Sequence, residues 1–227
     1  MMRLPIISFI LLAGSVSTSA CDFDLSDVSL GIGVVGDFPD IAVDGFVDVT
    51  IPFSNSHDVS LGLSSVSASY EFDNSRFLVQ AMIASEAGNS GTRLSVSDSM
   101  FQMTPATDIL VQYEGQFDFN LPADSMTANF GIGVTDAASP ADQIAVDILS
   151  HNTVLGLGPR TFAIQGEFIM PANRTWVTNA SMSIRANASS RGHVATGTGY
   201  IEFRFIPEPS TLCLFVASSI VILRRRR

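Results

Sequence analysis

Ser65-Val66-Ser67-Ala68-Ser69-Tyr70-Glu71-Phe72-Asp73 alternates without a break. Val66, Ala68, Tyr70 and Phe72 fall on one side, and Ser65, Ser67, Ser69, Glu71 and Asp73 on the other. A period of two residues is that of a β-strand, and one apolar side facing one polar side is the mark of an antiparallel sheet with one face in the core. The same spacing recurs in Val43, Val47, Val49 and Ile51; Ile109, Val111 and Tyr113; Phe117, Phe119 and Leu121; Ile144, Val146 and Ile148; and Ile201, Phe203 and Phe205. Gly, Asn, Asp, Ser and Pro separate these runs, and no stretch carries a convincing helical period. The expected fold class is all-β, an antiparallel β-sandwich or jelly roll.

The body that would hold these strands is acidic and free of cysteine. Residues 21–206 contain no lysine and seven arginines against twenty-one Asp and Glu, a net charge of −14. Such a surface repels nucleic acid and anionic lipid, and it suits solubility or divalent cations. Cys21 and Cys213 lie outside residues 22–206, so no disulfide holds the body together. Stability must come from burial, and a chain of about 185 residues can hide roughly 70% of its surface in one core. A single domain is the expectation at that length.

Both ends read as export signals. At the N-terminus, Arg3 supplies a positive charge, Ile6 to Ala13 an apolar run interrupted by Ser8, and Thr18-Ser19-Ala20 a small-residue cleavage site. This is the pattern of a secretory signal peptide over residues 1–20, with signal peptidase cutting between Ala20 and Cys21. Ser17-Thr18-Ser19-Ala20-Cys21 matches a lipoprotein acylation site only loosely, because the usual large aliphatic residue three places before the cysteine is missing.

At the other end, Pro207-Glu208-Pro209 is followed by an apolar stretch from Leu212 to Leu223 and by Arg224, Arg225, Arg226 and Arg227. This is a rigid break, an apolar segment and a block of charge that resists translocation. Ser210 to Leu223 spans about 21 Å as a helix, short of the roughly 30 Å of a bilayer core. Snorkelling by the arginines and local thinning would close the difference. The arrangement of Ile206 to Leu212, the apolar run and the four arginines resembles the PEP-CTERM sorting signal of bacterial surface and matrix proteins. That resemblance implies recognition by exosortase, cleavage near the motif, and passage through an inner-membrane-tethered intermediate to the cell surface or extracellular matrix. The expected organisation is a signal peptide over residues 1–20, a β-sandwich domain over 21–206, and a sorting segment with a short membrane helix over 207–227.

Short echoes run through the body. Leu30-Gly31-Ile32-Gly33-Val34 recurs as Phe130-Gly131-Ile132-Gly133-Val134, and Ile41-Ala42-Val43-Asp44 as Ile144-Ala145-Val146-Asp147. A further echo pairs Gly115-Gln116-Phe117 and Leu121-Pro122-Ala123-Asp124 with Gly166-Glu167-Phe168 and Met170-Pro171-Ala172-Asn173. Hairpins that reuse one turn chemistry would produce this, and so would a duplicated half-sandwich.

Motifs that carry chemistry are sparse. Gly31-Ile32-Gly33-Val34-Val35-Gly36 fits a dinucleotide-binding string, but Asp37-Phe38-Pro39-Asp40 follows where a helix N-terminus would have to receive the pyrophosphate. A strand with glycines at close-packed positions is the better reading. Asp37, Asp40 and Asp44 are the candidates for calcium, a hard cation that takes several oxygens. With Ile41 to Phe53 as one strand, Asp48 stands about 13 Å from Asp44 and cannot share an ion with it. Solvated loop and strand carboxylates compete with this reading, and no other cofactor is expected. His57, His151 and His193 fall in polar, loop-like surroundings beside no nucleophile motif. Trp176, Tyr70, Tyr113 and Tyr200 would make a sugar-stacking platform if they met, but Tyr70 and Tyr113 sit on apolar faces and point to the core. Asn173, Asn179 and Asn187 begin glycosylation-like triplets that read here as turns.

The expectation is an exported, non-catalytic structural or adhesive protein of the cell surface or extracellular matrix. The alternatives are a calcium-assisted carbohydrate-binding module and, behind it, a secreted polysaccharide hydrolase with paired carboxylates. Expected partners are signal peptidase, exosortase, the membrane through the C-terminal segment, and extracellular polysaccharide.

Overall fold

Alternating apolar residues need two surfaces to bury against each other, and twelve strands among the described residues supply them. The computed structural model describes residues 23–36, 41–47, 52–73, 75–88, 91–152 and 157–207. The strands are β1 (Phe23–Gly36), β2 (Ile41–Val47), β3 (Phe53–Leu61), β4 (Ser64–Phe72), β5 (Arg76–Glu86) and β6 (Arg93–Pro105). They continue with β7 (Ile109–Leu121), β8 (Met126–Asp136), β9 (Ser139–Asn152), β10 (Gly158–Met170), β11 (Trp176–Ala186) and β12 (Val194–Pro207). Among the described residues the one helical element is a 3-10 turn at Ala188–Ser190.

The strands form two six-stranded antiparallel sheets, β2-β1-β6-β11-β8-β9 and β10-β7-β12-β5-β4-β3. The sheets face each other with β2 over β3, β1 over β4, β6 over β5, β11 over β12, β8 over β7 and β9 over β10. This is a β-sandwich. From β5 onward the pairing is nested: β8 with β9 innermost, then β7 with β10, β6 with β11, and β5 on β12. A long antiparallel hairpin rolled across two sheets gives that order, and β1 to β4 then widen each sheet by two strands.

The defining alternation holds in detail. Val66, Ala68, Tyr70 and Phe72 are buried on β4, while Ser65, Ser67 and Ser69 are half-buried and Glu71 is exposed. Rings from four strands close the core at one end. Phe72, Phe77, Phe101 and Phe203 lie with centroids 5.0 to 6.2 Å apart in edge or tilted contacts, each worth about 0.5–1.5 kcal/mol beyond its burial. Away from that cluster, where the Phe117 ring of β7 lies against β12, β12 carries glycine. A Cβ on Gly199 would stand 2.5 Å from the Gln116 carbonyl oxygen and 2.8 Å from Phe117, and one on Gly197 would stand 2.6 Å from the Phe117 ring.

One expected strand divides. The run from Ile41 to Phe53 is not a single element: β2 ends at Val47 in the first sheet, and Phe53 opens β3 in the second. Two-residue alternation is the same in either sheet, so it cannot mark the change. The G-x-G-x-x-G string lies entirely in β1, as its lack of a following helix implied.

The repeated segments make matched hairpins. Ile32 pairs with Asp44 and Gly33 with Val43; Ile132 pairs with Asp147 and Gly133 with Val146. Both hairpins belong to the first sheet, one at each edge, and a local two-fold through the Asp98–Ser181 pair relates them. Beyond the hairpins the same two-fold carries β6 onto β11, and the matching axis of the second sheet carries β4 and β5 onto β7 and β12, out of chain order. The echo is one of hairpins and register, not of two tandem half-sandwiches.

Candidate functional site

Three of the four ring residues considered for a sugar platform are spent on the core. Trp176 is buried and donates its indole N–H to the Pro171 carbonyl at 3.1 Å, with the Arg174 guanidinium 5.4 Å from its ring. Tyr70 is buried with its hydroxyl 3.3 Å from both the Gly31 carbonyl oxygen and Ser97 Oγ, and burial pushes its pKa up to about 12. Tyr113 packs on Phe168 at 6.2 Å, over the space left by Gly166.

Tyr200 is different. On β12, Ile201, Phe203 and Phe205 point inward and are buried, so Tyr200, Glu202 and Arg204 stand on the outer face of the second sheet. Register then builds the surroundings. Gln116 of β7 and Gln80 of β5 are its direct partners on either side, and Ser69 of β4 and Ser56 of β3 continue the row. The next row toward the β3–β4 turn is Asp118, Thr198, Met82, Ser67 and Asp58, with Met82 59% exposed. A groove of about 430 Å³ runs along these two rows, and depressions of about 370 and 340 Å³ adjoin it on the same face.

Several charges on this face are tied down. Asp118 accepts from Thr161 Oγ1 at 2.5 Å and Gln116 Nε2 at 2.6 Å. Glu114 and Glu202 stand side by side on β7 and β12 and share one guanidinium: Arg204 Nε is 2.8 Å from Glu202 and its Nη2 is 3.3 Å from Glu114. That hydrogen bond to Glu202 and the two negative charges hold the Arg204 guanidinium above its ordinary pKa. Arg76 completes the network from β5, bonded to Glu71 and 3.9 Å from Glu202. The adjacent Glu114 and Glu202 are the paired carboxylates of this face, and the shared Arg204 makes them part of an ion-pair network. The Tyr200 row is thus uncharged, with the Asp118 and Asp58 carboxylates in the row beside it and the Glu71, Glu114 and Glu202 network with Arg76 and Arg204 beyond.

Asp98 and Ser181 pair at the centre of the first sheet between Gly31 and Gly131, and partial burial raises the Asp98 pKa.

The remaining sequence candidates distribute as follows. Asp44 lies on β2, at the edge of the first sheet, while Asp37 and Asp40 lie outside the described residues. Ala20, Cys21, Glu208, Pro209 and Arg224 to Arg227 also lie outside them, and Pro207 is the last residue of β12. His57 is half-buried on β3 and His151 is on β9, strands at opposite edges of the sandwich, and only His193 is in a loop. Two histidines read as loop residues are therefore strand residues. Among the described residues no group of three or more His, Cys, Asp or Glu comes together to hold a metal ion, and no helix is long and apolar enough to cross a membrane. Asn187 is a structural asparagine whose side-chain amide donates to Ser125 O at 2.6 Å. The site that sequence reading passed over is the Tyr200 row, although the alternation of Tyr200 to Phe205 already placed Tyr200 opposite the buried rings.

No family model matches the chain, and no curated protein matches it. Among solved structures, the enzymatically active domain of tailspike protein 4 of bacteriophage CBA120 is 9% identical over 67% of this chain and 19% of that chain, with a TM-score of 0.27. Infectious bursal disease virus Gx strain is 8% identical over 84% of this chain and 58% of that chain, with a TM-score of 0.32. The isomalto-dextranase of Arthrobacter globiformis, complexed with panose, is 11% identical over 82% of this chain and 33% of that chain, with a TM-score of 0.21. The chain spans less than two thirds of each of these proteins, and likenesses this distant carry no argument about its function.

Proposed function

We propose that this chain is an exported, non-catalytic structural or adhesive protein, wound as a jelly roll and sorted by exosortase to the cell surface or extracellular matrix. The observation that carries the reading is the place where β12 stops. The last strand ends on Pro207, the first residue of Pro-Glu-Pro, and it is an interior strand held between β7 and β5. Every strand among the described residues is therefore in place by Pro207, so a cut from Glu208 onward leaves those strands paired. A cysteine-free body of −14 net charge held by buried rings also suits an exported protein that must fold without disulfides.

Intact-mass analysis of the protein recovered from the cell surface tests the proposal. The expected species lacks residues 1–20 and Arg224 to Arg227. A surface protein that keeps all four arginines sinks the sorting reading, and a chain that stays in the cytoplasm sinks export altogether. Deletion of residues 208–227 should leave the body folded but release it from the membrane into the medium.

A further inference from the structure

We infer that the row Gln116–Tyr200–Gln80 is a binding site for a neutral polysaccharide, the ligand through which the proposed surface protein would adhere. This deepens the proposed function and rests on it.

A pyranose ring offers an apolar C–H face edged by hydroxyls that both donate and accept. Its complement is an aromatic or thioether surface flanked by amides and hydroxyls, and few polar groups placed beside an apolar one are what small-molecule sites share. Tyr200 and Met82 are that apolar surface. They sit on neighbouring strands one residue pair apart on the diagonal, within reach of one ligand. Met82 is 59% exposed on β5, between Thr198 of β12 and Ser67 of β4. On both sides of Tyr200 the direct partners are glutamines, each with an acceptor and two donors. Gln80 uses its Oε1 on Ser69 Oγ at 3.5 Å, which orients its amide N–H groups away from that hydroxyl. From Gln116 to Ser56 the row crosses five strands, about 19 Å at 4.8 Å per strand. That is room for several sugar rings end to end.

Charge selects among polymers. The row itself is uncharged, Asp118 beside it is already bonded by Thr161 and Gln116, and Arg204 is committed to Glu114 and Glu202. A uronate or sulfated chain would meet carboxylates here and no uncommitted guanidinium. Calcium is not called on either, because Asp44 lies at the edge of the other sheet.

The test is affinity electrophoresis of the full chain purified in detergent, in gels carrying neutral polysaccharides (dextran, glucomannan, arabinoxylan) or anionic ones (alginate, hyaluronate), with and without EDTA. At least one neutral polymer should retard the protein, equally in EDTA, while alginate and hyaluronate do not. Tyr200→Ala should weaken retardation at least tenfold, Gln80→Ala several-fold, and Tyr200→Phe within about threefold, all three with the thermal transition of the parent. Retardation by no neutral polymer, by anionic polymers alone, unchanged in Tyr200→Ala, or abolished by EDTA would overturn the site. Cell fractionation of the same variants keeps the two proposals separate: normal surface display without glycan binding overturns this one, and failed display with binding in the gel overturns only the export reading.

Discussion

Arg174 places its Nη2 2.6 Å from Oδ2 of Asp136, a carboxylate at the end of β8 that is 2% exposed. The other carboxylate oxygen accepts from the Ala138 N–H at 2.9 Å, so one side chain ties the β8 end, the turn after it and the β10–β11 connection. Asn173, beside it, holds φ at 58°, the left-handed conformation that asparagine tolerates. Arg174→Ala should therefore cost about 2 kcal/mol, because it leaves a buried charge short of its partner, with the arginine's half exposure keeping the loss below that of a fully buried pair. Chemical denaturation reads this directly. A midpoint unchanged from wild type would mean that water replaces the guanidinium at no cost.

Gly199 and Gly133 should respond oppositely to a methyl group. Gly199→Ala drives a Cβ against the Gln116 carbonyl and the Phe117 ring and should cost about 1–3 kcal/mol. Gly133→Ala meets nothing within 4 Å and should be neutral or slightly stabilising by restricting the unfolded chain. Thermal melts of the two variants side by side check it.

Tyr70 gives the protein an alkaline limit. Its pKa is raised by burial to about 12 from an ordinary 10.0. The unfolded chain loses this proton first, so the folded state binds more protons in that interval and stability falls as pH rises above 10. Tyr70→Phe should flatten that fall while costing about 1 kcal/mol at neutral pH from the lost bonds to Ser97 and Gly31. Equilibrium unfolding from pH 8 to 12 decides; identical slopes in the two proteins would remove Tyr70 as the cause.

Asp73 sets the acid side. Burial alone would raise its pKa, but the bonds from the Ser75 N–H and hydroxyl and the Arg76 N–H, with the Arg76 charge, outweigh that and lower it. Its contribution is thus present above the unfolded value and is lost as pH falls through the lower folded one. Asp73→Ala should lose about 1 kcal/mol at pH 7 and converge on wild type in strong acid. A constant gap across the titration would show that the β4–β5 turn does not depend on the ionised carboxylate.

The body as a whole should fold on its burial alone. A chain of residues 22–207 should show a β-type circular dichroism spectrum and a cooperative transition insensitive to reductant. If chelator abolishes the transition, calcium is structural, and Asp37, Asp40 and Asp44 regain their claim.

The alternation of Ser65 to Asp73 foretold which side chains β4 buries, and Ile201, Phe203 and Phe205 did the same for β12, because a strand's two faces are fixed by backbone geometry within a few residues. The echo of Gly31-Ile32-Gly33-Val34 with Gly131-Ile132-Gly133-Val134 likewise foretold a shared local structure. Which strand lies beside which was not written locally. Gln116, Tyr200 and Gln80 come from three distant segments, and they meet because β12 enters between β7 and β5, a choice set by how the two apolar faces close over each other. The same closure decided that Trp176 is core, while Tyr200's outward facing was already set by the alternation of β12. A sequence by itself determines the facing of each strand through the period of its side chains; the sequence of neighbours across a sheet, and with it any site built from a row, exists only after long-range packing has fixed the register.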